Sequence, residues 1–162
     1  MRARREGWIV NVSSFAGKVA QPDESVYSAT KFAVTALSDA LAWELRDAGI
    51  SVLAVYPGLV RTEMFGEEVL RRLPKAALSQ FIEAPECVRQ VLRALERGRR
   101  EVFVPGYYGW LYRLCALLPG LMGPIFARVK LDALPSGPDH PPASAVGARS
   151  EAKPSEGGPP PG

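Results

Sequence analysis

The sequence predicts an α/β layer protein built on a parallel sheet. Short apolar runs rich in β-branched residues occur at 8–14, 50–57 and 101–105. Amphipathic stretches of helical period separate them, at about 25–47 and 85–98. The connections are too long for hairpins, so successive strands run parallel with right-handed crossovers through the helices.

"WIVNVSS" (8–14) has the apolar run of a strand buried on both faces. "FAGKVAQPDES" follows as a loop. Ala33, Leu37, Ala40, Leu41 and Leu45 recur at spacings of three and four, which marks the core stripe of a helix that Gly49 terminates. "ISVLAVYP" (50–57) is a second buried strand, and a Gly-containing loop with a short helix-like segment runs on to Ser79. Pro85 opens the next helix, "PECVRQVLRALERG", which Gly98 closes. "EVFVP" (101–105) is the third strand.

Two domains of composition follow. Residues 1–131 form the folded domain, and 132–162 form a tail that holds 8 of the 15 prolines and almost no large apolar side chain. Such a tail cannot bury enough surface to offset its ordering entropy and is expected to be disordered. The apolar stretch 107–130 has an uncharged run from Leu114 to Ala127 interrupted by Pro119 and Pro124. A membrane span needs about 20 residues. A helix docked over the core or over a substrate pocket is therefore expected, with interfacial membrane contact as the lesser alternative.

Charge and reactive side chains narrow the function. Residues 1–131 carry 18 Lys+Arg against 13 Asp+Glu, but the arginines alternate with acids except in "RARR" and in "RGRR" at 97–100. These runs read as solvated helix ends, and no nucleic-acid partner is expected. Cys87 and Cys115 form no CxxC and sit in apolar helical stretches, so reduced thiols in the cytoplasm are expected. The single histidine, His140, lies in the tail. The folded domain is thus without a Ser-His-Asp triad, a Cys-His pair or a His-based metal site, and no metal is expected. "NVS" at 11–13 matches a glycosylation sequon but falls in the apolar first strand.

The residues with chemistry to offer lie in "NVSSFAGKVAQPDESVYSATK" and "YPGLVRT". Ser14 stands where the first strand ends and "YPG" where the second ends. Ligands of open α/β sheets bind at these carboxyl ends. Tyr27 and Lys31, four apart, share one face of the intervening helix. A phenol of pKa about 10 is a weak base at neutral pH. An ammonium within about 4–6 Å favours the phenolate, and a serine hydroxyl can hold a substrate oxygen while the tyrosine moves its proton. That is the proton half of reversible alcohol oxidation. The hydride must come from a cofactor, since no side chain carries one.

"IVNVSSFAG", "YSATKFAV", "LSDALAWEL" and "GISVLAVYPGLVRTEM", in that order over about residues 7–105, resemble the later half of the short-chain dehydrogenase/reductase family, in its classical branch. The resemblance implies a Rossmann-like parallel sheet with helices on both faces, its N-terminal half missing. It implies NAD or NADP as cofactor, with Tyr27 as the catalytic acid/base. Lys31 would assist that tyrosine and hold the nicotinamide ribose, and Ser14 would orient the substrate oxygen. Pro57, Gly58, Val60 and Thr62 would line the nicotinamide, while Asn11 braces the sheet. The substrate would be a small-molecule alcohol or ketone of hydrophobic character, its pocket formed by Glu63 to Ser79 and by 107–130. Homo-oligomerisation of the full-length enzyme would use the tyrosine-bearing helix, where Ala29, Ala33, Ala36 and Ala40 allow close packing.

The chain also departs from the family. It contains no G-x-x-x-G-x-G or G-x-G-x-x-G, and no acidic or basic residue placed to choose between NAD and NADP. "MRARREG" resembles the end of the helix that precedes this strand in the family, so the chain is expected to be the C-terminal portion of a longer enzyme, inactive by itself. The alternative is a non-catalytic or membrane-associated remnant that keeps the motifs and lacks a cofactor site. An α/β-hydrolase is excluded by the absence of both G-x-S-x-G and a usable histidine.

Overall fold

A computed structural model of the chain describes residues 1–22, 24–62, 71 and 78–120. The main sheet has three parallel strands in the order β1 (Gly7–Val12), β2 (Ile50–Pro57) and β5 (Glu101–Val104). Gly7 pairs with Ile50 and Val12 with Val55, and Ala54 pairs with Glu101 and Pro57 with Val104. A separate two-stranded parallel ribbon joins β3 (Val60–Arg61) to β4 (Ile82–Glu83).

Helix α1 (Ser25–Glu44) links β1 to β2, α2 (Ala84–Glu96) leads from β4 into β5, and α3 (Tyr107–Leu117) follows β5. The alternation of β2 divides the core. Ala54 and Tyr56 point to the side where Phe15, Phe103 and Tyr108 pack, with Leu111 and Tyr112 of α3 closing over them. On that same side Leu45, Ile50 and Val52 pack with Ile9 and Leu41 at the base of α1. Leu53, Val55, Val102 and Val104 point to the other side, against Ala94, Val91 and Cys87 of α2. The expected Rossmann-like parallel sheet with helices on both faces is the observed architecture.

Two sequence expectations need correction. β1 is buried on one face only: Trp8, Val10 and Val12 are 56, 39 and 59% exposed. Their neighbours on β2, Ser51, Leu53 and Val55, show why. α2 covers the β2–β5 half of that face and leaves β1, one of the sheet's two edge strands, bare on it. The expected core stripe of α1 holds only at the helix's C-terminal end, where Leu41 and Leu45 pack with Ile50 and Val52. Ala33, Leu37 and Ala40 face outward, and the helix buries Ser28, Thr35 and Ser38 instead. The helical period was right. The face turned to the sheet is the one whose short hydroxyl side chains allow close approach.

α1 ends at Glu44, and a 3-10 turn (Arg46–Ala48) carries the chain to Gly49 at φ 69°, the left-handed position expected of a helix-terminating glycine. α3 docks as expected through Tyr108, Leu111 and Tyr112. No helix among the described residues is long and apolar enough to cross a membrane. The tail 132–162, the stretch 121–131 and most of the expected pocket loop (63–70 and 72–77) lie outside the described residues.

Candidate active site

The carboxyl ends of β1 and β2 lie on one edge of the sheet, and α1 begins there because it runs back to the start of β2. Six of the expected site residues belong to this edge or to helix α1 beside it. Ser14 follows β1, Tyr27 and Lys31 occupy the first two turns of α1, Pro57 ends β2, Gly58 follows it, and Val60 lies in β3. Thr62 comes next as an exposed bend.

Ser14 is extended (φ −161°, ψ 163°) and caps a 3-10 turn, Phe15–Gly17, with its Oγ accepting from the Ala16 amide at 3.2 Å. That is its one side-chain hydrogen bond among the described residues, so its hydroxyl proton is available to a ligand. Tyr27 is 45% exposed, and the Lys31 ammonium stands 5.6 Å from the centre of its ring. Among the described residues neither the Tyr27 phenol oxygen nor the Lys31 ammonium has a hydrogen-bond partner. The structure therefore brings Tyr27 and Lys31 together. It does not hydrogen-bond Ser14 to either of them.

Residues that the motif reading did not assign hold this group in place. Ser13, buried, donates its hydroxyl to the Lys31 carbonyl at 2.9 Å. Thr35 Oγ1 lies 3.0 Å from the Gly17 carbonyl and 3.1 Å from that of Lys31, so its one proton serves both. Asn11, the one residue of this set that the resemblance did name, donates through Nδ2 to Ser38 Oγ at 3.0 Å and ties β1 to α1. The Ser28 hydroxyl accepts from the Gln21 amide at 3.3 Å. Gly17 makes the contact between turn and helix sterically open, since a Cβ there would stand 2.4 Å from Ser13 Oγ and 2.7 Å from the Lys31 carbonyl oxygen. The signal for these residues was in the sequence: Ser28, Thr35 and Ser38 recur at helical spacing on one face.

Lys18, next after the turn, is the other unassigned residue. Its side chain is 12% exposed, and its ammonium lies 3.3 Å from Glu101 Oε2, 4.8 Å from the centre of the Tyr56 ring and 5.3 Å from that of Tyr112. Burial disfavours the charged lysine, but Tyr56 and Glu101 outweigh it and hold its pKa above the ordinary value. Burial in turn pushes the Tyr56 phenol above its own ordinary value, so at neutral pH Tyr56 faces Lys18 as a neutral ring and Glu101 supplies the negative charge. Tyr56 Oη is buried with no partner in hydrogen-bonding geometry, although Thr35 and Lys18 are near enough to favour its anion.

At the end of β2 the Gly58 amide donates to the Val104 carbonyl at 2.8 Å. A Cβ at Gly58 would stand 2.1 Å from the Tyr108 ring, so only glycine lets α3 seat that ring against the turn. Tyr108 reaches Gln80 Oε1 at 3.3 Å. Cys87 and Cys115 are free, partly buried thiols, both held above the ordinary pKa by burial. Among the described residues no cluster of His, Cys, Asp and Glu could hold a metal ion.

The fold and this edge define the class, a Rossmann-like α/β protein with its hydroxyl and ammonium groups at the carboxyl ends of parallel strands. Comparison with known proteins supports the short-chain dehydrogenase family, whose short chain dehydrogenase model matches residues 1–72. The chain is 38% identical over 89 residues to the mitochondrial D-beta-hydroxybutyrate dehydrogenase of Rattus norvegicus, covering 54% of this chain and 25% of that protein. It is 38% identical over 109 residues to the oxidoreductase UcpA of Escherichia coli K12, covering 64% of this chain and 41% of that protein. The chain thus spans well under half the length of these curated relatives. Among solved structures, a short chain dehydrogenase from Burkholderia cenocepacia in complex with NADP superposes with a TM-score of 0.65 at 27% identity, over 77% of this chain and 48% of that one. A short-chain dehydrogenase from Sphingobium yanoikuyae in complex with NADPH gives 0.59 at 28% identity, over 80% and 48%.

Proposed function

We propose that the chain carries the proton-transfer part of an NAD(P)-dependent oxidoreductase of the classical short-chain branch, corresponding to the C-terminal portion of such an enzyme, which interconverts a hydrophobic alcohol and its ketone or aldehyde. The observation that carries this reading is the Tyr27–Lys31 pair, whose phenol oxygen and ammonium have no hydrogen-bond partner among the described residues, at the sheet edge where Ser14 follows β1. Tyr27 gives or takes the proton of the substrate oxygen, Ser14 donates a hydrogen bond to that oxygen, and Lys31 places a positive charge beside the phenol while the proton moves.

The donor set fits the nicotinamide-ribose end of a dinucleotide. Lys31 would hold the ribose hydroxyls, and Pro57, Gly58, Val60 and Thr62 would form the wall at the strand end. The bound nicotinamide supplies the hydride acceptor and donor that the side chains lack. The NADP and NADPH of the two solved relatives support this choice of cofactor. The 162 residues contain no glycine-rich phosphate turn. Turnover is therefore expected only from a polypeptide that also carries a strand–glycine-loop–helix unit upstream of Met1.

α1 supports a homo-oligomer. Its outer face exposes Phe32, Leu37 and Trp43 beside Ala29, Ala33, Ala36 and Ala40, an apolar stripe of low relief suited to a second helix. The two free thiols fit a reducing cytoplasm. A second reading, attachment to a membrane surface, is favoured by α3, whose Tyr107, Trp110, Leu114 and Leu117 are exposed at helical spacing.

The test is made on the polypeptide with the upstream unit, by following reduced cofactor at 340 nm with a panel of hydrophobic secondary alcohols. Tyr27→Phe is expected to lower turnover by about 10²–10⁴-fold and to leave dinucleotide affinity within a few-fold. Turnover retained by Tyr27→Phe overturns the assignment.

A further inference from the structure

The two arginine runs that read as separate solvated ends in the sequence lie at the same edge of the sheet, on either side of the start of β2. In a parallel sheet every strand starts at the same edge, and here the residues just before β1, β2 and β5 are "MRARRE", "ELRDAG" and "ERGRR". Seven arginines against four carboxylates thus collect at the amino edge. Arg5 locks two of the segments together by donating through Nη2 to the Asp47 carbonyl at 2.7 Å.

Between the α1–β2 turn and the α2–β5 turn this edge opens into a cleft of about 230 Å³, lined by Arg46, Gly49, Ser51, Gly98, Arg99 and Arg100. Arg46 pairs with Asp47 at 3.3 Å, both largely exposed. Arg99 and Arg100 have no ion-pair partner among the described residues. Glu101, the nearest carboxylate in sequence, is engaged by Lys18. The Arg100 guanidinium is stacked 4.1 Å from the centre of the Trp43 ring, which restricts its rotamers before any ligand arrives.

We propose that this cleft binds a phosphate-bearing ligand, with a phosphomonoester or diphosphate group held by Arg99, Arg100 and Arg46. Three guanidinium forks from two turns present more donors than one carboxylate can accept. A phosphate has the oxygens and the second charge to use them. The cleft is smaller than the roughly 300–1,000 Å³ of drug-sized ligand sites, so it admits a head group and not a dinucleotide. It also lies at the opposite edge from Ser14, a β2 length of about 25 Å away. It is therefore independent of the reading of the active site.

The experiment uses the 162-residue chain with Trp8→Phe and Trp110→Phe, so that Trp43 is the remaining indole and reports on Arg100. Pyrophosphate and inorganic phosphate are titrated at low salt while Trp43 emission is followed. Saturable binding is expected, weakened by about tenfold or more in Arg99→Gln/Arg100→Gln. Arg2→Gln/Arg93→Gln removes the same charge outside the cleft and is expected to change affinity by less than about threefold. Circular dichroism establishes that each variant keeps its helices. Flotation with phosphatidic acid vesicles, against phosphatidylcholine vesicles, separates the sources of the phosphate. Vesicle binding that is competed by pyrophosphate and lost in the Arg99/Arg100 variant assigns a lipid head group. Pyrophosphate binding without vesicle binding assigns a soluble phosphate ester. No saturable response to either anion, or equal weakening by the two double variants, overturns the proposal.

Discussion

Lys18→Met tests how the turn that carries Ser14 is anchored to the sheet. The substitution keeps most of the apolar stem and removes the ammonium, which lies 3.3 Å from Glu101 and over the rings of Tyr56 and Tyr112. Breaking a fully buried pair costs about 3–5 kcal/mol, but the Glu101 side chain is 43% exposed and can rehydrate once alone. The ionic part is therefore nearer the roughly 1 kcal/mol at the top of the exposed range. Two ring contacts at about 0.5 kcal/mol each bring the total to about 2 kcal/mol. With a urea slope of about 2 kcal/mol/M that loss lowers the unfolding midpoint by about 1 M. Glu101→Gln removes only the ionic part and should lower it by about half as much. The double variant should fall short of additivity by about 1 kcal/mol, which is the coupling of the pair. Most of the coupling should survive 0.5 M salt, because the lysine is buried. A Lys18→Met midpoint within about 0.2 M of the parent, or strict additivity of the two changes, would refute an anchoring role for the pair.

The remaining predictions concern pH, packing and assembly. Burial raises the pKa of Tyr56 and of Tyr108, with Tyr107 adding to the latter, and Lys18 is raised despite its burial. The folded chain thus keeps protons that the unfolded chain gives up from about pH 10. Burial also raises Cys87 and Cys115, whose unfolded thiols titrate from about pH 8.5. Stability should be flat near pH 7, begin to fall above about pH 8, and fall further as pH rises through the folded-state values of the tyrosines and Lys18. Urea midpoints read by circular dichroism check this, and a midpoint unchanged at pH 11.5 contradicts it. Gly17→Ala places a methyl against Ser13 Oγ and the Lys31 carbonyl and should cost about 1–3 kcal/mol in the same assay. A neutral result would mean that the turn does not press on α1. Leu37→Arg, on the outer face of α1, should alter monomer stability by less than about 0.5 kcal/mol and shift sedimentation toward monomer. An unchanged oligomer would rule out this face as the interface.

Those predictions rest on features of unequal visibility in the sequence. β2 was plain, since an eight-residue run buried from Val52 to Tyr56 carries its own signal. β1 was not, because an apolar strand looks the same whether or not a helix covers its second face, and here α2 stops over β2 and β5. α1 carries two stripes at the same period, one of alanine and leucine and one of serine and threonine. Hydrophobicity alone selects the first for the core. Proximity to the strand-end turn selects the second, because Ser28 and Thr35 can come close and pair with the Gln21 amide and the Gly17 carbonyl, which a leucine would leave unpaired. Nothing local to the helix distinguishes these outcomes.

The candidate site divides along the same line. Tyr27 and Lys31 were legible because helical spacing alone puts them on one face, and their separation is a local property. Lys18 was not legible, since its partner Glu101 is 83 positions away and only the pairing of β2 with β5 brings the two together. The serine pair 13–14 is the sharpest case. Both residues have the same side chain, and spacing from the tyrosine points to the second. Backbone direction is what separates them. Ser13, the last residue tied to β2 through its amide, turns its hydroxyl into the Lys31 carbonyl and is fully committed there. Ser14 accepts one amide and keeps its proton. One serine fixes where the Lys31 backbone stands, and the other keeps a hydroxyl proton that the proposed reaction would use.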